Sequence, residues 1–418
     1  MKITILAPDA SGLVEWPTLS ANRKSVVTVG VFDGMHRGHQ AVIRRAVELA
    51  KADKAFSVVV MFDPRPGVVH AYAAAHDGQE PGDGFRDHMA LTSVDQRLRT
   101  LENLGVDHVL VVRYTLAFAA KSYRFFLGQM VGKLGMRTLV LGTDAAMGAN
   151  RAGDVKAIGV LAQPPACSSL RSSTTAAQVM CACRPTSPRR CRASWGTRGS
   201  DRRHDQGAAA RVEQEASGAR SARVELDERA ISARTWSYQA ADEILGHAHA
   251  IEGTVVHGEE RGRTIGFPTA NLGSMIDGYI PVDGVYAGWL IDLGAAGATA
   301  DSDENASDGN SGSGNASVIP RVYDSGSSKA RLAAESPYRW PAAISIGTKP
   351  TFNEETGLNE RVVEAYAVTD EWLDLYGHDV RVEFAGFLRP QVKFDSADAL
   401  KDELTRNVQE TRELTSAR

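Results

Sequence analysis

Two stretches of this 418-residue chain combine residue types and spacings suited to phosphate chemistry. The first, Val29–His39, reads Val-Gly-Val-Phe-Asp-Gly-Met-His-Arg-Gly-His. The apolar run Val26–Phe32 has strand character and leads into the pair Asp33-Gly34. Gly38 then stands between His36 and His39, and Gln40–Lys51 follows with the spacing of an amphipathic helix. A strand that turns through Gly30, Phe32 and Gly34 onto a helix N-terminus aims unpaired backbone N–H groups and a positive dipole end at one point. Phosphate binds well there. His36 and His39 add imidazole donors at the same place, and Asp33 either shapes the turn or touches the ligand.

The second stretch runs from Gly253 to Asn271 as Gly-Thr-Val-Val-His-Gly-Glu-Glu-Arg-Gly-Arg-Thr-Ile-Gly-Phe-Pro-Thr-Ala-Asn. Gly258, Gly262 and Gly266 allow close backbone approach to phosphates, and Arg261 and Arg263 supply charge. Pro268 stiffens a turn that presents Thr269 and Asn271. A hydroxyl and an amide oxygen at that spacing suit Mg²⁺, a hard cation that keeps waters and substrate phosphates as its other ligands.

The elements that must position these residues differ between the two halves. Up to about residue 160, β-branched runs at Val26–Phe32, Phe56–Phe62, His108–Val112 and Thr138–Leu141 alternate with helical patterns at Gln40–Lys51, Ser93–Leu104 and Tyr123–Leu134. That alternation predicts a parallel sheet built from right-handed β-α-β units, with ligands beyond the carboxyl ends of the strands. Three loops then meet at one crevice: Gly30–His39, the Pro-bounded Phe62–Pro66 with Asp63 and Arg65, and Gly142-Thr143-Asp144. From Ala250 the pattern turns to short strands at Ile251–His257, Gly284–Ile291, Ala342–Ile346, Val362–Val368 and Val380–Phe387, which predicts an antiparallel barrel or sandwich. Ser396–Leu414 reads as a charged amphipathic helix packed upon it. Gly294–Ala334, rich in Asp, Ser, Asn and Gly, reads as a flexible insert.

The motifs in their order resemble a known family. The His-x-Gly-His spacing is similar to that of adenylyl-transferring nucleotidyltransferases. Gly258–Asn271, Gly284-Val285-Tyr286-Ala287, Ile346–Phe352 and Val363-Glu364 resemble the successive motifs of riboflavin kinases. Together, over about 1–160 and 240–415, the chain resembles the bacterial bifunctional riboflavin kinase/FAD synthetase family. The resemblance implies an N-terminal Rossmann-like α/β nucleotidyltransferase domain and a C-terminal antiparallel β-barrel with a terminal helix. It implies two reactions: phosphorylation of riboflavin to FMN by ATP, then adenylylation of FMN to FAD by a second ATP. Glu364 is implied as the base of the kinase, Thr269 and Asn271 as holders of Mg²⁺, and His36 and His39 as stabilisers of charge in adenylyl transfer. Asp63, Arg65 and Asp144 would contact the flavin. In the Gly142–Gly148 loop the family's usual aromatics are replaced by Ala145 and Met147, which reduces the surface on which flavin or adenine packs. Lys349 lies either in solvent or near phosphate.

The stretch 163–237 breaks the pattern. It holds 13 arginines, no lysine and all four cysteines (Cys167, Cys181, Cys183 and Cys191), and it lacks the family's Ser-Ser/Thr-x-x-Arg type of motif; Ser172-Ser173-Thr174-Thr175 has no arginine at the required offset. Such a bias, ending where helical patterning returns at Tyr238, fits a frameshifted reading of GC-rich DNA better than a zinc or nucleic-acid site, because the cysteines lack paired C-x₂-C spacing. The expected organisation is therefore 1–162 adenylyltransferase, 163–237 aberrant, and 238–418 kinase with the insert 294–334. Two further readings remain: a kinase with an impaired adenylyltransferase half, and a flavin-sensing or nucleic-acid-binding protein on the same scaffold.

Bulk properties limit the partners. With 43% hydrophobic and 23% charged residues the composition is that of a globular protein, and the net charge of −4 gives no general attraction to nucleic acid or anionic membrane. No apolar run approaches the ~20 residues of a membrane span, and Met1–Ala10 lacks the apolar core of a secretion leader. A cytoplasmic monomer or weak oligomer acting on small molecules is expected.

Overall fold

The computed structural model describes residues 1–82, 85–162, 178–181, 237–258, 266–296, 329–352 and 359–417. The chain divides into two compact units, Met1–Asp87 with Arg97–Gly218, and His88–Gln96 with Ala219–Arg418.

The first unit is an α/β sheet with helices. Its elements are β1 (Lys2–Leu6), β2 (Ser25–Gly30), α1 (Arg37–Ala52), β3 (Phe56–Asp63), α2 (Pro66–Ala75), α3 (Val94–Asn103, entering this unit at Arg97) and β4 (His108–Arg113). There follow α4 (Leu116–Ala119), α5 (Tyr123–Lys133), β5 (Met136–Leu141), β6 (Ala146–Met147), β7 (Gly153–Asp154), α6 (Val155–Ala162) and β8 (Gln178–Cys181). The sheet order is β1-β4-β3-β2-β5-β8. The first five strands run parallel, and β8 joins β5 antiparallel. The central strands are apolar on both faces because helices cover both: Val58, Val59, Val60 and Met61 in β3 are all essentially inaccessible. Since β2, β3 and β5 are adjacent and parallel, the loops that follow them leave the sheet from one edge.

Two features depart from the sequence reading. β1 is an edge strand that short apolar spacing near the N-terminus did not reveal. β8 lies in the early part of 163–237, where the sequence shows no sustained period, and it pairs Gln178–Cys181 with Leu141–Thr138. The rest of the 163–237 reading, including Ser172–Thr175, Cys167, Cys183 and Cys191, lies outside the described residues.

The second unit contains α7 (Ser237–Leu245), β9 (Ala250–Val256), β10 (Ala270–Leu272), β11 (Gly284–Ala295), β12 (Arg339–Phe352), β13 (Asn359–Ala367), β14 (His378–Arg389) and α8 (Ala397–Ser416). Its strands close into a six-stranded antiparallel barrel in the order β10-β13-β12-β11-β14-β9, so the open choice between barrel and sandwich falls to the barrel. Alternate residues Ile344, Ile346, Val363, Ala365, Val380 and Val382 fill the core, each with no accessible surface. Ser396 caps α8 by accepting a hydrogen bond from the Ala399 N–H at 3.2 Å.

The insert expected at 294–334 has anchored margins. β11 runs on to Ala295. Arg331 donates to the buried Asp292 carboxylate at 2.6 Å and lies over the Tyr338 ring, so its guanidinium is held at the barrel. Residues 297–328 lie outside the described set. Among the described residues no helix is long and apolar enough to cross a membrane.

Candidate active sites

In the α/β unit, the chain leaves β2 at Gly30 and turns through Phe32, Gly34 and Met35, all with positive φ (54°, 74° and 42°). A Cβ at Gly30 would lie 2.9 Å from the Phe32 ring, so only glycine lets that ring fold back over the strand end. His36 then caps α1: its Nδ1 accepts from the His39 N–H at 3.4 Å. The first α-helical bond runs from Gln40 N–H to the His36 carbonyl at 3.0 Å. The N–H groups of Arg37 and Gly38 therefore have no intrahelical acceptor. The two imidazoles stack with centroids 3.6 Å apart, and Phe32 packs edge-on against His39.

Burial pushes His36 down to about 4, against the opposing pull of the Asp144 and Asp33 carboxylates. His39 is depressed as well, mainly by burial and then by His36 and Arg97. Both rings are neutral at pH 7 and act as hydrogen-bonding groups until an anion arrives, whose charge favours their protonation.

The neighbouring loop is tied down by charge. Arg65 donates to Asp33 at 3.0 Å and forks onto Asp87, with Nη2 2.6 Å from Oδ1 and Nε on Oδ2. Asp63 accepts from Arg97 Nη2 at 3.1 Å. Asp63 and Arg65, read as flavin contacts, thus have protein partners already, and Asp33 belongs to the same ionic cluster. Asp144 is exposed in the loop after β5 and close enough to bias His36. The reduced loop is a small hairpin in which β6 pairs with β7, and Ala145 and Met147 pack against the α/β core. Aromatic surface is supplied elsewhere. Phe62 near the end of β3, Tyr114 just after β4 and Phe118 on α4 have ring centroids 5.8–6.1 Å apart, and His70 meets the Tyr114 hydroxyl at 3.1 Å.

In the barrel unit, Asn271 on β10 is the direct register partner of Glu364 on β13, and Glu364 in turn of Ser345 on β12. Val363 and Ala365 point into the core, so Glu364 and its partners share the opposite face. The Asn271 amide donates to the Thr269 carbonyl at 3.2 Å and lies 3.5 Å from the Thr269 hydroxyl. A Cβ at Gly258 would sit 2.4 Å from that amide, so the absence of a side chain at 258 is what makes room for it. Phe267 packs edge-on against Tyr366, two residues along β13 from Glu364, and this pins the turn containing Gly266, Pro268 and Thr269 beside the carboxylate. Arg261, Gly262 and Arg263 lie outside the described residues, and Lys349 lies on β12.

Comparison with known proteins agrees with both halves. The FAD synthetase family matches residues 18–175 and the riboflavin kinase family residues 245–415. The chain belongs to the bifunctional riboflavin kinase/FMN adenylyltransferase family. The Escherichia coli K12 member is 28% identical over 389 residues, covering 93% of this chain and 92% of that protein. The Listeria monocytogenes member is 26% identical over 399 residues, covering 95% and 93%. A crystal structure described as a macrolide-efflux protein from Streptococcus pneumoniae shares the fold, with a TM-score of 0.58, 22% identity and coverage of 94% and 95%.

The structure brings together His36, His39, Asp33 and Arg65 in one unit, and Gly258, Thr269, Asn271 and Glu364 in the other. Sequence reasoning missed Arg97, Asp87, Phe267 and Tyr366. Arg97 did leave a signal: it stands on the same helical face as the apolar Val94, Leu98 and Leu101, where a charge is out of place unless something buried receives it.

Proposed function

We propose that the chain makes FMN from riboflavin and ATP at the barrel, and FAD from FMN and a second ATP at the α/β unit. The observation that carries the kinase assignment is the register pairing of Glu364 with Asn271, beside the Thr269 hydroxyl. In the first reaction the riboflavin 5′-hydroxyl attacks the γ-phosphorus of ATP, its proton passes to the Glu364 carboxylate, and ADP leaves. In the second, a phosphate oxygen of FMN attacks the α-phosphorus of ATP and pyrophosphate leaves. No covalent enzyme intermediate is required. The neutral His36 and His39 rings and the Arg37 and Gly38 N–H groups would receive the charge that develops on the phosphate oxygens. The Phe62, Tyr114 and Phe118 rings offer aromatic surface of the kind that the Gly142–Gly148 loop lacks, and we assign the isoalloxazine to that side.

The donor set suits Mg²⁺. Among the described residues no group of three His, Cys, Asp or Glu side chains is placed to hold a metal. Mg²⁺ takes one or two protein oxygens with phosphates and water. The Thr269 hydroxyl and the side-chain amide oxygen of Asn271 would hold it; the two side chains are neighbours, with the amide nitrogen 3.5 Å from the hydroxyl. When bound, the cation neutralises phosphate charge. We further propose that the protein acts on small molecules in the cytoplasm as a monomer or weak oligomer; its net charge of −4 gives no general attraction to nucleic acid or anionic membrane.

The test is a time course with riboflavin and Mg-ATP, resolving the flavins. FMN followed by FAD is expected. FMN alone would favour a kinase whose second half is impaired, a reading motivated by the missing Ser-Ser/Thr-x-x-Arg motif in 163–237. Neither product would overturn the assignment. Resequencing the gene tests the frameshift: a family-like frame in a neighbouring phase supports it, and its absence ends it.

A further inference from the structure

Arg97 is among the largest fully buried side chains of the described residues, at 1% exposure. Burying a guanidinium is costly unless its donors are met. Here they are met by acceptors from two separate segments, the turn after β2 and the end of β3. Nη1 donates to the Val31 carbonyl at 3.0 Å and reaches the Phe62 carbonyl at 3.5 Å, while Nη2 donates to the Asp63 carboxylate at 3.1 Å. Val31 follows β2 and begins the turn that leads to His36. Phe62 and Asp63 end β3 and begin the loop of Arg65. β2 and β3 pair only as far as Gly30 and Met61, so just beyond the last sheet pairing the guanidinium replaces the ladder as the bridge between the chains.

We propose that Arg97 is a positioning residue for adenylyl transfer: by clamping Val31 to Phe62 and Asp63, it sets the separation between the phosphate-binding turn and the loop facing the flavin substrate. The inference rests on the adenylyltransferase reading above. In that reaction the attacking FMN phosphate and the α-phosphorus of ATP must be aligned, and the two loops sit where each substrate would be held. A displacement of about 1 Å between two bound reactants costs on the order of 10²-fold in rate. The planar fork matters because it reaches three acceptors in fixed directions. A lysine keeps the charge but presents a single ammonium.

The test uses the full chain carrying Arg97→Met or Arg97→Lys, with riboflavin kinase activity measured on the same preparations as an internal control. For Arg97→Met, kcat of FAD synthesis should fall about 100-fold with KM for ATP and FMN changed less than about threefold. For Arg97→Lys the fall should be about 10-fold, with the thermal midpoint near that of the parent. FMN formation from riboflavin should be unchanged in both. A parent protein that makes FMN but no FAD removes the adenylyltransferase reading and this inference with it. A parent active in both reactions, beside an Arg97→Met variant whose kcat per folded molecule is within threefold of it, overturns the inference alone. If Arg97→Met does not fold, parental kcat in Arg97→Lys overturns it equally, because the fork would then be dispensable.

Discussion

Asn271 and Glu364 stand directly opposite one another on neighbouring antiparallel strands, the amide on β10 and the carboxylate on β13. Directly opposed residues share a face of the sheet, so a barrel strand of only three residues, Ala270–Leu272, is enough to bring the amide proposed to hold the cation to a candidate base. The residues on either side of Glu364, Val363 and Ala365, are locked in the core with no accessible surface. The carboxylate is therefore held on a rigid element.

Replacing Glu364 with Ala should lower riboflavin phosphorylation by about 10²–10⁴-fold, the range of a lost general base. FAD formation from supplied FMN should stay at the parental rate. Near-parental FMN production would take Glu364 out of the kinase site.

A methyl group at 258 would collide with the Asn271 side chain, 2.4 Å from its amide nitrogen. Gly258→Ala should therefore displace Asn271 and raise the KM for Mg-ATP in the kinase reaction at least several-fold, with a stability loss of about 1–3 kcal/mol. Kinase assays at varied Mg-ATP, beside thermal denaturation, separate the two effects. An unchanged KM would mean that Asn271 does not touch the nucleotide.

His36, held at about 4 by burial, stays neutral from pH 8 down to pH 5. The kcat/KM of FAD synthesis should show no limb near pH 6.5 that belongs to this ring. Profiles of the parent and of His36→Gln decide it: a limb near 6.5 present in the parent and lost in the variant would contradict the neutral, buried imidazole.

His249 is fully buried, meets the Tyr279 carbonyl through Nε2 at 2.7 Å, stacks on Phe384, and is pushed by burial down to about 4. Unfolded, the ring binds its proton near pH 6.5. Between those values the unfolded state binds more protons than the folded one, so stability is full above about 6.5 and declines as pH falls toward 4. The contribution lost is on the order of 3 kcal/mol. Urea midpoints from pH 7.5 to 4.5 should fall more steeply for the parent than for His249→Gln. Equal slopes would reject the assignment.

Much of this architecture was legible locally. Helices α1, α3 and α5, and the strands from β2 to β5, follow from spacings of 3.6 and 2 residues that each segment carries within itself. The two motifs proposed to meet phosphate were equally readable as motifs, since His36, Gly38 and His39, and Thr269 with Asn271, are close in sequence. What escaped was short or remote. β10 has too few residues to show a period, and β8 sits in a stretch of biased composition.

Barrel closure was decided by tertiary structure, because alternation of inward and outward residues is the same in a sandwich; only the pairing of β9 with β10 distinguishes them. The ionic partners were also a tertiary matter. Arg65 meets Asp87 across 22 residues and Arg97 meets Asp63 across 34, and no local pattern says which of many charges will be buried together. The sequence by itself determined the element types and the chemistry available at each motif. Folding decided which carboxylates neutralise which arginines and which histidines lose their charge, because those outcomes depend on burial, and burial is a property of the assembled core.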